Sequence, residues 1–151
     1  MARVQMYASL KTILPLQTRE VLLQLTDDDN NGDFMSRPPN AAYRNIQSAC
    51  ASAQAVVDSY IGGRYILPLH RPFPPQIVEI ASNLALCCLY DRRRELDVPE
   101  GIKDRRSRYM AMLKDIQSEK ASVPELRRPT PASALITAPE PTFSQSLLSR
   151  M

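Results

Sequence analysis

Residues 58–69, with the sequence DSYIGGRYILPL, constrain the fold of this chain more than any other segment. The segment ends a long run of helical periodicity with the pair Gly62-Gly63 and continues as a short extended stretch to Pro68. Because glycine readily adopts the left-handed conformation that ends many helices, the pair is expected to supply that conformation here. The segment has no pattern typical of a nucleophile, a metal site or a phosphate-binding loop, which indicates an architectural role.

Arg64 and the apolar residues after it are expected to fasten this turn. We expect Arg64 to pair with Asp58 or with the last carbonyls of the helix before it, where a cation is favourable. The apolar residues up to Leu69 would pack the turn onto the following helix. The predicted structural motif consists of Asp58, Tyr60, Gly62, Gly63, Arg64, Tyr65, Leu67 and Pro68.

The helix before this segment has the strongest signal in the chain. Asn40 is a suitable N-cap, and the helix is predicted over residues 41–61, about 31 Å at 1.5 Å per residue. Spacings that alternate between three and four residues indicate one buried stripe. Its members are Tyr43, Ile46, Cys50, Ala53, Val57 and Tyr60.

Further helices are predicted on both sides of it. Residues 6–25 predict two short helices separated at Pro15, with Ser9 and Thr18 as N-caps. A second long helix should start near Pro74-Pro75, because the fixed φ of proline suits a first turn. Its apolar residues cover much of its circumference, which is typical of a central helix.

A last helix is predicted from Pro99-Glu100 to about Lys120. The fold class is therefore all-α, a small bundle of about four to five helices in residues 1–120. The residues of this last helix that are expected to face inward are Ile102, Tyr109, Leu113 and Ile116.

Composition supports one helical domain. Four glycines and 13 prolines in 151 residues favour helices interrupted by prolines over a β-sandwich rich in glycine turns. The net charge of +3 is small for a dedicated nucleic-acid binder. Three cysteines without metal-site spacing and no secretory signal favour a reducing compartment. The apolar stretch of residues 77–90 is shorter than the roughly 20 residues that span a bilayer, so a soluble cytoplasmic protein is expected.

Residues 121–151 differ in composition from the rest of the chain. They contain five prolines, many small polar residues and no sustained period, so alone they bury little surface to offset the entropy of ordering. We expect an extended C-terminal arm that is disordered or orders only on a partner. Its candidate partner-binding anchors are Leu135, Ile136, Phe143, Leu147 and Leu148.

Three features invite a chemical interpretation and favour a structural one. Residues 27–33 match positions one, three, five and six of an EF-hand calcium loop, but Pro38 stands at position twelve, which requires a bidentate Glu. His70, the only histidine, lies in a proline-rich connector without a catalytic partner. Cys87 and Cys88 lie in an apolar helix, which is typical of small core residues. We expect no catalytic residue, no metal site and no cofactor, and hence no enzyme.

The basic residues of 92–108 are the best candidates for contacting nucleic acid. Seven basic residues in this stretch and its flank stand among five acidic ones, Asp91, Glu95, Asp97, Glu100 and Asp104. Mixed charge at this density usually marks a solvated face or ion pairs between subunits. A small helical DNA-binding protein remains an alternative, and it predicts duplex affinity that falls steeply with salt.

Together these segments resemble the Mu-type phage head–tail connector (adaptor) family, the product of Mu gene thirty-six and its prophage relatives. The resemblance covers roughly residues 6–118, and the tail after Ser118 is not part of the pattern. The acidic loop and Pro38-Pro39 also differ from the Asp-Gly-rich form common in relatives. The matching elements are Met6-Tyr7-Ala8-Ser9-Leu10, Leu25-Thr26-Asp27, Asp58 with Tyr60 to Leu69, and Pro75 to Arg93.

The resemblance implies a structural virion protein of the phage neck, assembled in the host cytoplasm. Copies would form a ring of twelve, as in related adaptors, below the portal protein. The ring would bind the next neck or tail protein, and viral DNA would pass through its channel without sequence-specific contact. No membrane is involved. A stopper or tail-terminator protein is the alternative within phage biology.

Overall fold

The computed structural model describes residues 5–34 and 40–130, and these form an all-α bundle. Neither of these two ranges contains a β-strand. None of their helices is long and apolar enough to cross a membrane. The helices are α1 (Leu10–Ile13), α2 (Arg19–Thr26), α3 (Ala41–Ile61), α4 (Pro75–Arg92) and α5 (Glu100–Gln117), and a 3-10 turn (Leu14–Leu16) follows α1. The predicted fold class is confirmed.

The helix starts follow local capping chemistry. The side chain of Thr18 accepts a hydrogen bond from the amide of Val21. Asn40 accepts one from Tyr43 at 3.0 Å, so α3 begins where the sequence predicted. α4 begins at Pro75, the first-turn position that suits proline. α1 begins after Ser9, whose amide donates to the hydroxyl of Thr12.

α4 is the central helix of the bundle. It packs mainly against α3 and also contacts α1, α2 and α5. The consecutive residues 81–87 are all buried, which a helix achieves only when neighbours cover its whole circumference. α3 and α5 each bury one stripe instead. The buried side chains of α5 are the four predicted, Ile102, Tyr109, Leu113 and Ile116.

The prediction of a left-handed glycine at the end of α3 was wrong. Gly62 has φ −62° and ψ −21°, and Gly32 is the only glycine with positive φ in the described ranges. The chain instead continues in a helical turn, in which the amide of Gly62 donates to the carbonyl of Asp58 at 2.8 Å. A Cβ at Gly62 would lie 2.8 Å from that carbonyl oxygen and 3.1 Å from Leu67 Cδ1. Glycine is needed there for close packing.

The packed part of the chain extends beyond the predicted boundary at residue 120. Val123 is 1% exposed and belongs to the hydrophobic core, and Leu126 packs against the same core. The amide of Ala121 donates to the carbonyl of Asp115 at 3.0 Å. The start of the predicted arm therefore lies against the bundle, because one buried valine and backbone hydrogen bonds fasten it without any sequence periodicity.

Candidate functional site

Arg64 lies at the end of α5 and fastens it to the chain that follows. Its guanidinium Nη1 donates to the carbonyl oxygen of Ile116 and, at 3.0 Å, to that of Ala121. Nε lies 3.5 Å from a carboxylate oxygen of Glu119, and only 9% of the Arg64 side chain is exposed. A cation here compensates the negative end of a helix dipole. The predicted pairing with Asp58 or with the end of α3 was wrong, because the helix that Arg64 serves is α5.

Tyr65 and Ile66 hold the next part of the same segment. The amide of Val123 donates to Tyr65 Oη at 3.0 Å, and the amide of Ile66 donates to the carbonyl of Arg127 at 3.0 Å. Three successive residues, Arg64 to Ile66, thus bind residues 121–127, and we call them the clamp. The sequence did not predict that the motif binds residues 121–127. These contacts join positions more than 50 residues apart, and the only apolar signal in the bound segment that marks it as buried is the single Val123.

Asp58 connects the N-terminal segment to α3. Tyr7 Oη donates to Asp58 Oδ1 at 2.5 Å, and the amide of Tyr7 donates to Gln54 Oε1 at 3.1 Å. The Tyr7 ring meets the ring of Phe73 edge to face, with centroids 5.0 Å apart. Burial, and then the neighbouring Asp58 carboxylate, raise the pKa of Tyr7 above its ordinary value. Tyr7 and Asp58, which belong to two separate elements of the recognised sequence pattern, therefore meet in space.

The remaining motif residues surround the clamp. Tyr60 and Leu67 are half-buried against the core, and Leu69 is buried. The peptide bond between Leu67 and Pro68 is cis, and Pro68 itself is exposed. Ile66 leaves 52% of its surface exposed beside residues 121–127. The segment thus combines a buried fastening side with an exposed apolar side chain.

The acidic loop after α2 is bound to the end of α4. Asp28 forms ion pairs with Arg92 and Arg93, and the amide group of Asn45 donates to the same carboxylate at 3.1 Å. The hydrogen bond from Arg92 is the main cause that lowers the pKa of Asp28. The Asp27 carboxylate accepts hydrogen bonds from the backbone amides of residues 31 and 32 at 3.0 and 2.7 Å. Within the described ranges no three His, Cys, Asp or Glu side chains are grouped as a metal site requires.

Most side chains of the basic run make contacts within the molecule. Arg105 donates to Asn83 Oδ1 at 3.1 Å, and Arg106 donates to the carbonyl of Cys87 and to Asp91. Arg92 and Arg93 bind the acidic loop, and Lys103 lies 3.5 Å from Glu100. Among residues 5–34 and 40–130, no hydrogen-bond or ion-pair partner is found for Arg94 and Arg108. Within this run, therefore, few cations remain for a phosphate backbone.

The side chains considered for nucleophilic chemistry lie in unsuitable environments. Burial raises the pKa of the Cys50 thiol to about 11, and it also raises the pKa of Cys87 and Cys88. A thiol with a raised pKa supplies little thiolate, the reactive form, at neutral pH. His70 is exposed in the connector between α3 and α4.

The five predicted arm anchors lie outside the described residues. They are Leu135, Ile136, Phe143, Leu147 and Leu148.

The comparisons with known proteins identify a family. A family model described as "Bacteriophage Mu, Gp36" matches residues 7–137. A search of curated proteins found no match. The matched range extends past Ser118, where the recognised sequence pattern ends, and it includes the clamp together with residues 121–127. Because the match covers most of the chain, this phage protein belongs to the bacteriophage Mu Gp36 family.

Proposed function

We propose that this protein is a head–tail adaptor of the phage neck. Copies form a ring below the portal protein, link the capsid to the next neck or tail component, and line part of the channel through which DNA passes. Membership of the Mu Gp36 family is the observation that carries the proposal. The contacts of the motif agree with it, since Arg64, Tyr65 and Asp58 fasten parts of the chain to each other.

The pairing within the basic run also supports a protein through which DNA passes without tight binding. A protein that binds duplex DNA tightly presents several free cations to phosphates. Here Arg92, Arg93, Arg105 and Arg106 donate to groups of the same chain. A channel wall that DNA slides through needs few tight phosphate contacts, so this arrangement suits an adaptor better than a DNA-binding regulator.

The clamp fixes the position from which the C-terminal residues start, and these residues are the ones proposed to contact neighbours. It fastens residues 121–127 to the bundle, so the chain that follows Thr130 starts from a defined position. In the proposed ring the residues after Thr130 contact a neighbouring subunit or the portal. Each copy then requires contacts with its neighbours in the ring, with the portal and with the next neck or tail component.

Binding to isolated portal rings tests this proposal. The full chain is mixed with purified portal, and complexes are separated by size-exclusion chromatography and imaged by negative-stain microscopy. We expect a ring-shaped layer on one face of the portal. A chain truncated after Thr130 is the informative variant, because truncation after Lys120 would also remove Val123 and the carbonyl of Arg127. The truncated chain should stay helical and lose stable attachment.

Other outcomes identify other functions. Binding only to a preformed portal–adaptor complex would make the protein a stopper or tail terminator. Duplex DNA affinity at low salt that falls steeply as salt increases would favour a DNA-binding protein. Normal attachment of the truncated chain would show that the residues after Thr130 are not the portal contact.

A further inference from the structure

An open groove lies beside α1, at a distance from the clamp. Its volume is about 860 Å³, and α1, the residues before it, the N-terminal half of α3 and the connector before α4 line it. Leu14 is 37% exposed there, one of three large hydrophobic side chains with such exposure in the described ranges. Met6 and Leu10 are half-buried in the same wall. The groove therefore offers apolar surface that a partner chain can cover.

The charge of the groove indicates what covers it. Among the described residues that line it, Lys11 and Arg71 are basic and none is an aspartate or glutamate. Residues 131–151 contain one acidic residue, Glu140, which stands between two prolines and three positions before Phe143. Proline-flanked segments bind grooves lined by aromatic rings, and the Tyr43 side chain lines this one. Apolar residues on both sides of a single acid thus match an apolar groove with a basic rim.

The groove and the clamp lie toward opposite ends of α3. The clamp follows Ile61, the last residue of α3, whereas Gln47 lines the groove. These positions are 14 residues apart, which is about 21 Å along a helix at 1.5 Å per residue. A segment that leaves one end and binds the other end of the next copy makes a head-to-tail contact. Such contacts form rings when the rotation closes.

The available chain length is sufficient for this contact. Phe143 follows Thr130 by 13 residues, which span up to about 43 Å when extended at 3.3 Å per residue. This reach exceeds the separation along α3, so chain length permits the anchor to reach a groove on its own copy or on an adjacent one, and the crosslinking experiment below distinguishes the two.

We propose that the groove beside α1 binds residues 131–148 of a neighbouring copy, with Phe143 in the apolar part and Glu140 at the basic rim. This inference rests on the proposed ring, and it assigns the acceptor surface for the arm. The contact joins each subunit to the next one and leaves the portal-binding face unspecified.

Photocrosslinking of the full chain tests the contact. Phe143 is replaced by the photoreactive p-benzoylphenylalanine, and nitrogen-15-labelled and unlabelled copies are mixed before assembly. Mass spectrometry is expected to show crosslinks from position 143 to Met6, Leu10 or Leu14 between differently labelled copies. Crosslinks to another surface, to the portal alone, or only within one chain would overturn the inference.

Two matched substitutions strengthen the test. Leu14→Arg places a charge in the groove. Leu96→Arg places the same charge at another exposed leucine, which lines a different groove beside α2 and the acidic loop. Loss of one buried leucine contact should lower the yield of crosslink between copies about tenfold or more for Leu14→Arg. Leu96→Arg should leave it unchanged. Equal effects of both, with circular dichroism spectra like the parent, would contradict a specific groove.

Exchanging the charges of Lys11 and Glu140 tests the contact without changing an apolar residue. Lys11→Glu should weaken the crosslink, and adding Glu140→Lys should restore part of it, more at low salt than at high salt. If the crosslink yield is not restored, Glu140 does not bind at the basic rim. Portal binding is measured separately, so a chain that binds portal but crosslinks elsewhere refutes the groove and leaves the adaptor proposal standing. A chain that crosslinks in the groove but never binds portal refutes the adaptor proposal instead.

Discussion

Replacing Arg64 by alanine is expected to loosen the end of α5 and the segment after it. The side chain donates two hydrogen bonds to main-chain carbonyls, and bonds to a charged group contribute about 1.5–3 kcal/mol each. Water can reach part of the carbonyl of Ala121 after the change, since that residue is half-buried. The ion pair adds little because 76% of the Glu119 side chain is exposed. We expect a net loss of about 3 kcal/mol in the free energy of unfolding.

Two measurements check this expectation. Urea unfolding followed by circular dichroism gives the loss of free energy, which corresponds to a decrease in Tm of about 10 °C for a domain of this size. Hydrogen exchange shows in which part of the chain the stability is lost. The amides of Ile66 and Val123 should exchange faster by more than the global loss explains, because the segment that they bind opens locally. Amides in the centre of α4 should follow the global change only.

Two control variants make the prediction refutable. Arg64→Lys keeps the charge but lacks the planar fork that reaches two carbonyls, so we expect it to recover only part of the loss. Arg94→Ala removes an exposed arginine and should change stability by less than about 0.5 kcal/mol. A loss below about 1 kcal/mol for Arg64→Ala, or unchanged exchange at Val123, would refute the role of the clamp.

Four further substitutions have defined outcomes. Gly62→Ala should destabilise by about 1–3 kcal/mol because its Cβ meets the Asp58 carbonyl at 2.8 Å, whereas Gly63→Ala, with nothing within 4 Å, should be neutral or slightly stabilising in the same urea titration. Tyr7→Phe should lower the free energy of unfolding by about 1.5–3 kcal/mol, measured by thermal unfolding, since it removes the hydrogen bond to the Asp58 carboxylate. Asp28→Asn should cost less than about 1 kcal/mol at neutral pH, because solvent reaches both partners, whose side chains are 31% and 38% exposed. The folded-state pKa of Asp28 is lowered, so its stabilisation is present above the ordinary pKa of 3.8 and is lost as pH falls through the folded value. The difference between the two proteins should therefore disappear in acid, and a constant difference would contradict the ion pair.

Local chemistry explains why the helix starts could be predicted from the sequence. Thr18, Asn40 and Pro75 act on backbone groups within three residues, so their effect depends little on the rest of the fold. The inward face of α5 also followed from spacing, because a helix exposed on one side repeats its apolar residues every three or four positions.

The errors arose where distant parts of the chain decide the outcome. Gly62 was expected to change the backbone conformation, but it is needed because a Cβ there would lie 2.8 Å from the carbonyl oxygen of Asp58 and 3.1 Å from Leu67 Cδ1. Arg64 was assigned to α3, its neighbour in sequence, although Tyr7 already donates to Asp58. The boundary after residue 120 missed Val123 because a single buried residue produces no period. The anchors of the arm remain predictions.

The binding of residues 121–127 by the clamp has a consequence for the order of events during synthesis. Ribosomes add roughly 5–20 residues per second, and N-terminal parts of a chain emerge first. α3 and α4 can pair as soon as both have left the exit tunnel, but the carbonyl of Arg127 is needed by Ile66, and Val123 by Tyr65. Folding of the bundle therefore finishes only after the chain up to residue 127 has emerged. The residues that follow leave the ribosome later still, so the bundle needs none of them in order to close, and their apolar side chains are the last to be exposed.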